Sequence, residues 1–274
     1  MEQTAVFAQE MPLEAVPAEI GLPFAIILGL LFGSFLNCMA MRIVRGENWV
    51  SGRSRCPSCG HVLGAADLIP VLSFLFLRGK CRYCGKKISP RYPITELLFA
   101  VITACIYLRA GVSVLTIRLF VYACCLFALS LTDLEARIIP NGCLLLALVT
   151  WAATEPFLFT GWTDFWLHVG AMIGAAVLIL LLVLVMDAVL KKDSMGGGDI
   201  KLIAVLGLYT GAVGMMFLLF FASILGIFYA AARGRLKHGE AVAFGPFLAA
   251  SGLFMALWGE IPVEWYLRLA GFVQ

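Results

Sequence analysis

Charge is what this sequence has least of. Only 14% of its 274 residues are Asp, Glu, Lys or Arg, where a soluble domain carries about a quarter. The deficit is matched by 62% apolar residues and a mean hydropathy of +0.96. Long apolar runs alternate with short polar ones, which excludes a soluble globular enzyme and describes a polytopic membrane protein. The net charge of +3 is too small to point to nucleic acid. Residues 1–21 hold four glutamates and no Lys or Arg, the reverse of a secretory signal's basic start. The first apolar run is therefore expected to be a retained span. Neither GxxxxGK(S/T) nor GxGxxG occurs, so nucleotide-binding loops have no support, and no repeat or low-complexity segment stands out.

A second scarcity sets the topology. In the one long polar segment, residues 42–91, only Glu47 and Asp67 are acidic, against nine Lys or Arg after Arg42. By the positive-inside rule this loop is cytoplasmic and the acidic segment 1–21 lies outside. Spans are then expected at 22–41, 92–108, 112–131, 141–159, 167–190, 200–212, 213–232 and 242–258, about eight in all. The sixth is a little under ~20 Å long if helical, against a hydrocarbon core of ~30 Å. Its Gly207 and Gly211 allow close helix contact. Trp162 and Trp166, in the expected outside loop 160–166, suit the aromatic belt, and the basic turn 233–238 lies inside. The expected fold is all-α: a first span over 22–41, a cytoplasmic loop domain over 42–91, seven further spans over 92–259 and an outside tail over 260–274.

Two carboxylates organise the remainder. In Met195-Gly196-Gly197-Gly198-Asp199-Ile200-Lys201, three glycines free the backbone to bend and to approach another segment closely. They deliver Asp199 to the mouth of an apolar run. A charge at a bilayer centre costs roughly 2.5–3.5 kcal/mol and less near the interface, so such a residue marks function by default. Its expected partner is Asp133, in Asp133-Leu134-Glu135-Ala136-Arg137-Ile138-Ile139-Pro140, and the topology puts both on the cytoplasmic face. A pair of carboxylates sharing one proton can hydrolyse a peptide: the ionised one takes a proton from water and the neutral one donates to the scissile carbonyl. Other readings stay open on these residues alone. Asp199 could cap a helix starting at Ile200, and Asp133 could be a loop acid. Glu135, Asp187 and Asp193 share that side, with Asp187 the strongest competitor. Asn37, in Gly33-Ser34-Phe35-Leu36-Asn37, serves either helix packing or the active site.

Of nine cysteines, five lie in or beside apolar segments and read as small core residues. The other four form Cys56-Pro57-Ser58-Cys59-Gly60 and Cys81-Arg82-Tyr83-Cys84-Gly85, spaced C-x2-C-x21-C-x2-C. A cytoplasmic loop disfavours disulfides, and the spacing points to a closed four-thiolate zinc site of structural kind. His61 beside it is read as a surface residue.

Taken together these residues resemble the bacterial prepilin peptidases, the GxGD-type aspartyl proteases that process type IV pilins and the pseudopilins of type II secretion. The resemblance runs through Gly33–Asn37, the four-cysteine loop, Ile88-Ser89-Pro90-Arg91-Tyr92-Pro93 with Glu96, Asp133 through Ile139-Pro140-Asn141, Gly196–Lys201, and Phe244-Gly245-Pro246. It implies a multi-pass protein of the bacterial inner membrane that cleaves a basic leader after its glycine at the cytoplasmic face. Asp133 and Asp199 fall on the family's catalytic positions, with Gly196, Gly197, Gly198, Lys201 and Asn37 in support. It further implies N-methylation of the new terminus from S-adenosylmethionine, for which Gly79 and Glu96 are candidates, and the cysteine loop marks the bifunctional form. The glycine run is shorter than in some members but keeps Gly-x-Gly-Asp. The expected cofactors are structural zinc and S-adenosylmethionine. The expected partners are prepilin or pseudopilin precursor helices and membrane lipid, with no nucleic acid. Two other classes compete. A proton- or cation-coupled transporter would put its acids near the midplane, and a non-catalytic scaffold docking through the zinc loop would tolerate Asp199→Asn.

Overall fold

The structure, a computed structural model, describes residues 17–191, 195–233, 243–269 and 271. Expectations for residues 1–16, Asp193, the basic turn from 234 onward, Val242 and the last residues 272–274 lie outside the described residues. The chain divides into two compact units at residues 112 and 113. Helix α3 therefore groups with the first span and the cysteine loop rather than with the later helices.

In the N-terminal unit, α1 (Ala18–Val44) packs along α3 (Arg91–Ala110). Small residues make that approach possible. A Cβ at Gly29 would fall 2.0 Å from Thr103 Oγ1 and 2.6 Å from the Ala100 Cα, and one at Gly33 would fall 2.9 Å from the Glu96 Cα. Backbones this close gain dispersion contacts that lipid tails cannot match. The same contact brings Asn37 Nδ2 to 3.1 Å from Thr95 Oγ1. Between the two helices the loop carries a 3-10 turn (Ala65–Leu68) and the short α2 (Leu72–Phe76). The antiparallel bridges Arg55 to Val62 and Lys80 to Lys87 close its two knuckles.

The C-terminal unit contains α4 (Val114–Ala136), α5 (Asn141–Leu158), α6 (Trp162–Leu190), α7 (Gly197–Ala232), α8 (Gly245–Trp258) and α9 (Glu260–Leu269). Ser113 starts α4 by accepting from the Thr116 N–H at 3.2 Å. Arg137, at φ 56°, ends it by donating its N–H to the Asp133 carbonyl at 2.9 Å. Helix α4 packs on α5 and α8, and α7 on α6 and α8, around the buried Tyr122, Leu129, Leu202, Leu206, Leu218 and Leu248. Tyr122 stacks on Tyr209 at 3.8 Å. Arg118 binds α4 to α5: it donates to Thr154 Oγ1 and Glu155 Oε2 at 2.7 Å each and lies over the Trp151 ring. Leaving either charge buried alone would cost about 3–5 kcal/mol. Helix α6, by contrast, exposes Leu178, Leu181, Leu184 and Val185, as a lipid-facing span does.

The all-helical membrane architecture is the expected one, with informative differences. Among the described residues six helices are long and apolar enough to cross a membrane, and α8 with α9, bent by 75°, makes a seventh if the pair is one span. The expected sixth and seventh spans form one helical run, α7, broken at Gly211 (φ 68°, ψ 178°). An eighth span requires that break to separate two crossings. It frees the Leu208 carbonyl, and His168 Nδ1 lies 2.8 Å from that oxygen and supplies the missing donor. Gly207 meets α6 directly, since a Cβ there would sit 2.9 Å from the Ala171 carbonyl oxygen. Trp162 and Trp166 begin α6 instead of lying in a loop, and residues 260–269 of the expected tail are helical. Both differences have one cause: polar or aromatic residues at a span's edge still satisfy their backbone best as helix.

Gly29→Val is expected to destabilise the α1–α3 pair by about 1–3 kcal/mol, the usual cost of overpacking a tight contact. Thermal unfolding in detergent should show a lowered midpoint, and an unchanged one would mean the two helices are not in contact there.

Candidate active site

Asp133 and Asp199 line one cleft of about 840 Å³ in the C-terminal unit. Asp133 sits in the last turn of α4, not beyond it, and is 5% exposed. Its Oδ2 accepts the backbone N–H of Gly245 at 3.0 Å, from the first turn of α8. The glycine is required there, because a Cβ at 245 would fall 2.7 Å from that same oxygen. The positive end of α8 is thus aimed at the carboxylate.

Asp199 lies in the first turn of α7, close enough to Asp133 for their charges to interact. It is not an N-cap: Gly196 holds that position, and Asp199 donates its N–H to the Gly196 carbonyl at 3.1 Å. Its Oδ1 is buried with no partner among the described residues. The glycine run proves less exotic than its sequence. Gly197 and Gly198 are helical and Gly196 is ordinary extended backbone (φ −71°, ψ 143°). Only Gly198 uses its missing side chain, where a Cβ would press to 3.1 Å against Ile139. That contact seats the turn after α4 against the start of α7.

Lys201 reaches the cleft and donates to Asn141 Oδ1 at 3.2 Å. From α6 the described lining takes Leu182, Val183 and Met186 but not Asp187, and Glu135 is likewise outside it. Asn37 is buried in the N-terminal unit on Thr95, with its Oδ1 unpartnered among the described residues. Gly245 and Asn141 stand in motifs that carry the resemblance, but the sequence reading gave neither a place in the site. The signal available for Gly245 was a glycine before a proline at the start of an apolar run, a helix start that cannot bear a side chain.

The four cysteines converge as their spacing predicts. All four sulfurs lie within 4.8 Å of one another, with Cys56 Sγ and Cys84 Sγ 4.0 Å apart. Tetrahedral zinc at ~2.3 Å per sulfur places its ligands ~3.8 Å apart, so the set fits after a small contraction. Each knuckle closes identically: Gly60 and Gly85, at φ 72° and 70°, donate to the Cys56 and Cys81 carbonyls at 2.9 Å. The Ser58 N–H holds the Cys56 thiol down to about 7. At Cys59 the His61 N–H pulls the same way, but desolvation and the neighbouring Cys56 and Cys84 sulfurs outweigh it and push that thiol up to about 11. Thiols this close oppose one another's ionisation, which a shared cation would reverse. Asp67 locks the knuckles to the loop. It takes N–H and O–H donors from Gly64 and Tyr83 and pairs with Arg82 at 2.8 Å. The Gly64 N–H, the Tyr83 hydroxyl and the Arg82 charge hold its carboxyl below the usual range. His61, exposed as expected, stacks on Tyr83 at 3.6 Å.

Gly79 and Glu96 both attach to α2. Glu96 is buried and its Oε2 accepts the Val71 N–H at 2.7 Å, just before the helix. Gly79 (φ 68°) donates to the Phe74 carbonyl at 2.8 Å just after it, and a Cβ there would meet the Phe74 ring at 3.0 Å.

Comparison with known proteins divides the chain where the structure does. The Bacterial Peptidase A24 N-terminal domain matches residues 27–110, and the Type IV leader peptidase family matches residues 120–231. Among curated relatives, a prepilin leader peptidase/N-methyltransferase of Bacillus subtilis (strain 168) is 35% identical over 247 residues, covering 89% of this chain and 97% of that protein. Proteins of the same description from Burkholderia pseudomallei (strain 1026b) and Pseudomonas putida are 33% and 34% identical. These alignments cover 94% and 90% of this chain and 91% and 94% of the relatives. No solved structure matches the chain.

Within the N-terminal matched region, the four-sulfur cluster predicts one tightly held zinc ion per chain. Elemental analysis of the purified protein should find it, and Cys56→Ser or Cys81→Ser should lose it and open the loop to protease. Full metal content in either variant would break the four-thiolate assignment.

Proposed function

The chain belongs to the type IV leader peptidase family, and on that premise we propose that Asp133 and Asp199 are the catalytic pair of a membrane aspartyl endopeptidase. Its substrates are the leaders of type IV prepilins or pseudopilins, cut after glycine, and it N-methylates the terminus so exposed. The observation that supports the reading is the one cleft that both carboxylates line, each mounted on a helix end. The protein is a multi-pass protein of the bacterial inner membrane. The cytoplasmic face is the proposed side of the cleft, on the strength of the basic loop 42–91.

The chemistry follows from the hydrogen bonds. An N–H donates only to an acceptor, so the Asp133 Oδ2 facing Gly245 is not the oxygen that carries the shared proton. Its Oδ1 is left to take a proton from water as the water oxygen bonds to the scissile carbonyl carbon. Asp199, with Oδ1 free of protein partners among the described residues, holds the proton that the carbonyl oxygen receives. Collapse of the tetrahedral intermediate breaks the C–N bond: the leaving amine takes the proton gathered by Asp133, and the hydroxyl that becomes the new carbonyl returns its proton to Asp199. Gly196, Gly197 and Gly198 start α7 and present Asp199, while Lys201 and Asn141 form the polar wall. The apolar Ile139, Leu182 and Met186 suit a precursor's hydrophobic helix.

Cys56, Cys59, Cys81 and Cys84 would hold zinc as a closed structural site that organises the loop and takes no part in hydrolysis. S-adenosylmethionine would supply an electrophilic methyl group to the freed amine. The proposed candidates Gly79 and Glu96 do not by themselves make a pocket for it, since both are spent on α2, and no methyl-transfer step is assigned to a side chain. The transporter reading is disfavoured because both acids lie at helix ends.

Asp133→Asn and Asp199→Asn are each expected to slow cleavage of a prepilin-like peptide in detergent by about 10²–10⁴-fold, with zinc and fold retained. The wild-type product should gain one methyl mass only when S-adenosylmethionine is present. Gly245→Ala should lower kcat with little change in KM, because it displaces a reacting group and not the substrate. Wild-type rates in either aspartate variant would remove the pair and make Asp187 the next carboxylate to replace.

A further inference from the structure

The stretch between the two knuckles is apolar out of keeping with a polar loop. Leu72, Leu75 and Phe76 share one face of α2 and are 51%, 63% and 83% exposed. Leu68 and Ile69, just before the helix, are exposed as well. A short helix in water would turn its largest side chains inward, yet the inward position is held by Phe74, on Gly79.

The outward aim is built in. Val71 adopts φ 59°, ψ −50°, a positive-φ γ-turn closed by the Leu72 N–H on the Pro70 carbonyl, and strained for a β-branched residue. The buried Glu96 holds this turn by accepting the Val71 N–H at 2.7 Å. Gly79, in a conformation that side chains avoid, closes the other end.

The same hydrogen bond sets the depth. Glu96 stands in the second turn of α3, roughly 7.5 Å along the axis from the first residue. Helix α2 therefore begins level with the first turns of a span, where hydrocarbon meets water. Arg78 and Lys80 follow it directly and are exposed. The loop's acids oppose them little: of Glu47 and Asp67, the latter is already paired with Arg82. An apolar face flanked by cations at that depth is complementary to one surface, an anionic bilayer, with side chains entering the acyl boundary and the cations on lipid phosphates.

We propose that α2 is an interfacial anchor that lays the zinc-binding loop on the anionic surface of the membrane crossed by α3, through Leu72, Leu75 and Phe76 with Arg78 and Lys80. It rests on α3 being a span and is independent of which carboxylates react.

The test uses the full chain in nanodiscs containing phosphatidylglycerol, with a dansylalanine at position 76 and, separately, at the exposed position 86. Lipids doxyl-labelled near the top of the acyl chain should quench position 76 about two-fold or more and position 86 little, and aqueous iodide should do the reverse. Nanodiscs of phosphatidylcholine alone, or Arg78→Gln with Lys80→Gln, should reduce the lipid quenching. Zinc content confirms an intact loop in every sample. Iodide quenching at 76 equal to that at 86 would overturn the anchor. Shielding of 76 from both quenchers would overturn it too, by showing that protein covers the face. Lipid quenching indifferent to the phosphatidylglycerol and to both cations would overturn the headgroup contact.

Discussion

The hydrogen bond from the Gly245 N–H to Asp133 joins the end of α4 to the start of α8 across 112 residues of sequence. A carboxylate buried at the edge of hydrocarbon must be satisfied or it destabilises the fold around it. Here the donor is main chain, rigid, at the positive end of a helix, and needs no side chain that could drift. Two other features are set by it: position 245 must be glycine, and α4 must continue far enough to carry Asp133 on its last turn. Gly198 against Ile139 then brings α7 in beside the same turn, and Asp199 with it. The proposed reacting pair depends on helix ends meeting, not on a flexible loop.

Glycine does several different physical jobs in this chain. At Gly29 and Gly33 it lets two membrane helices touch backbone to side chain. At Gly211 it supplies a backbone state other residues avoid, and His168 takes up the carbonyl released by that break. At Gly60 and Gly85 it makes the turns that bring four sulfurs together. A loop with so few buried apolar residues has no core of its own, and the sulfur cluster with the Asp67 ion pair stands in for one. The apolar residues it does have, on α2, are turned outward by Glu96, so the loop trades burial for a surface that meets the bilayer.

Much of this was legible in the sequence, because membranes impose strong and local rules. Apolar runs located the membrane helices but not their ends, basic residues marked the loop, and paired Cys-x-x-Cys motifs specified a four-sulfur cluster, since each is a statement about neighbours in the chain. The conformation of the glycine run was not legible. Three glycines permit many backbones, and only packing against Ile139 selected a plain helix start. Nor could spacing tell Asp187 from Asp199, since both lie on the same side. The choice depends on which helix face turns to the cleft, and α6 turns Leu182, Val183 and Met186.

The sequence by itself determined an all-helical membrane protein, a four-cysteine cluster in its polar loop and two aspartates at helix mouths, because hydropathy, thiol spacing and charge act over a few residues. Tertiary structure alone decided that Asp133 is held by Gly245, that α7 breaks at Gly211 under His168, and that Glu96 and Gly79 serve α2. Each of these is a contact between segments far apart in the chain. No local pattern encodes such a contact, and it exists only once the helices have packed.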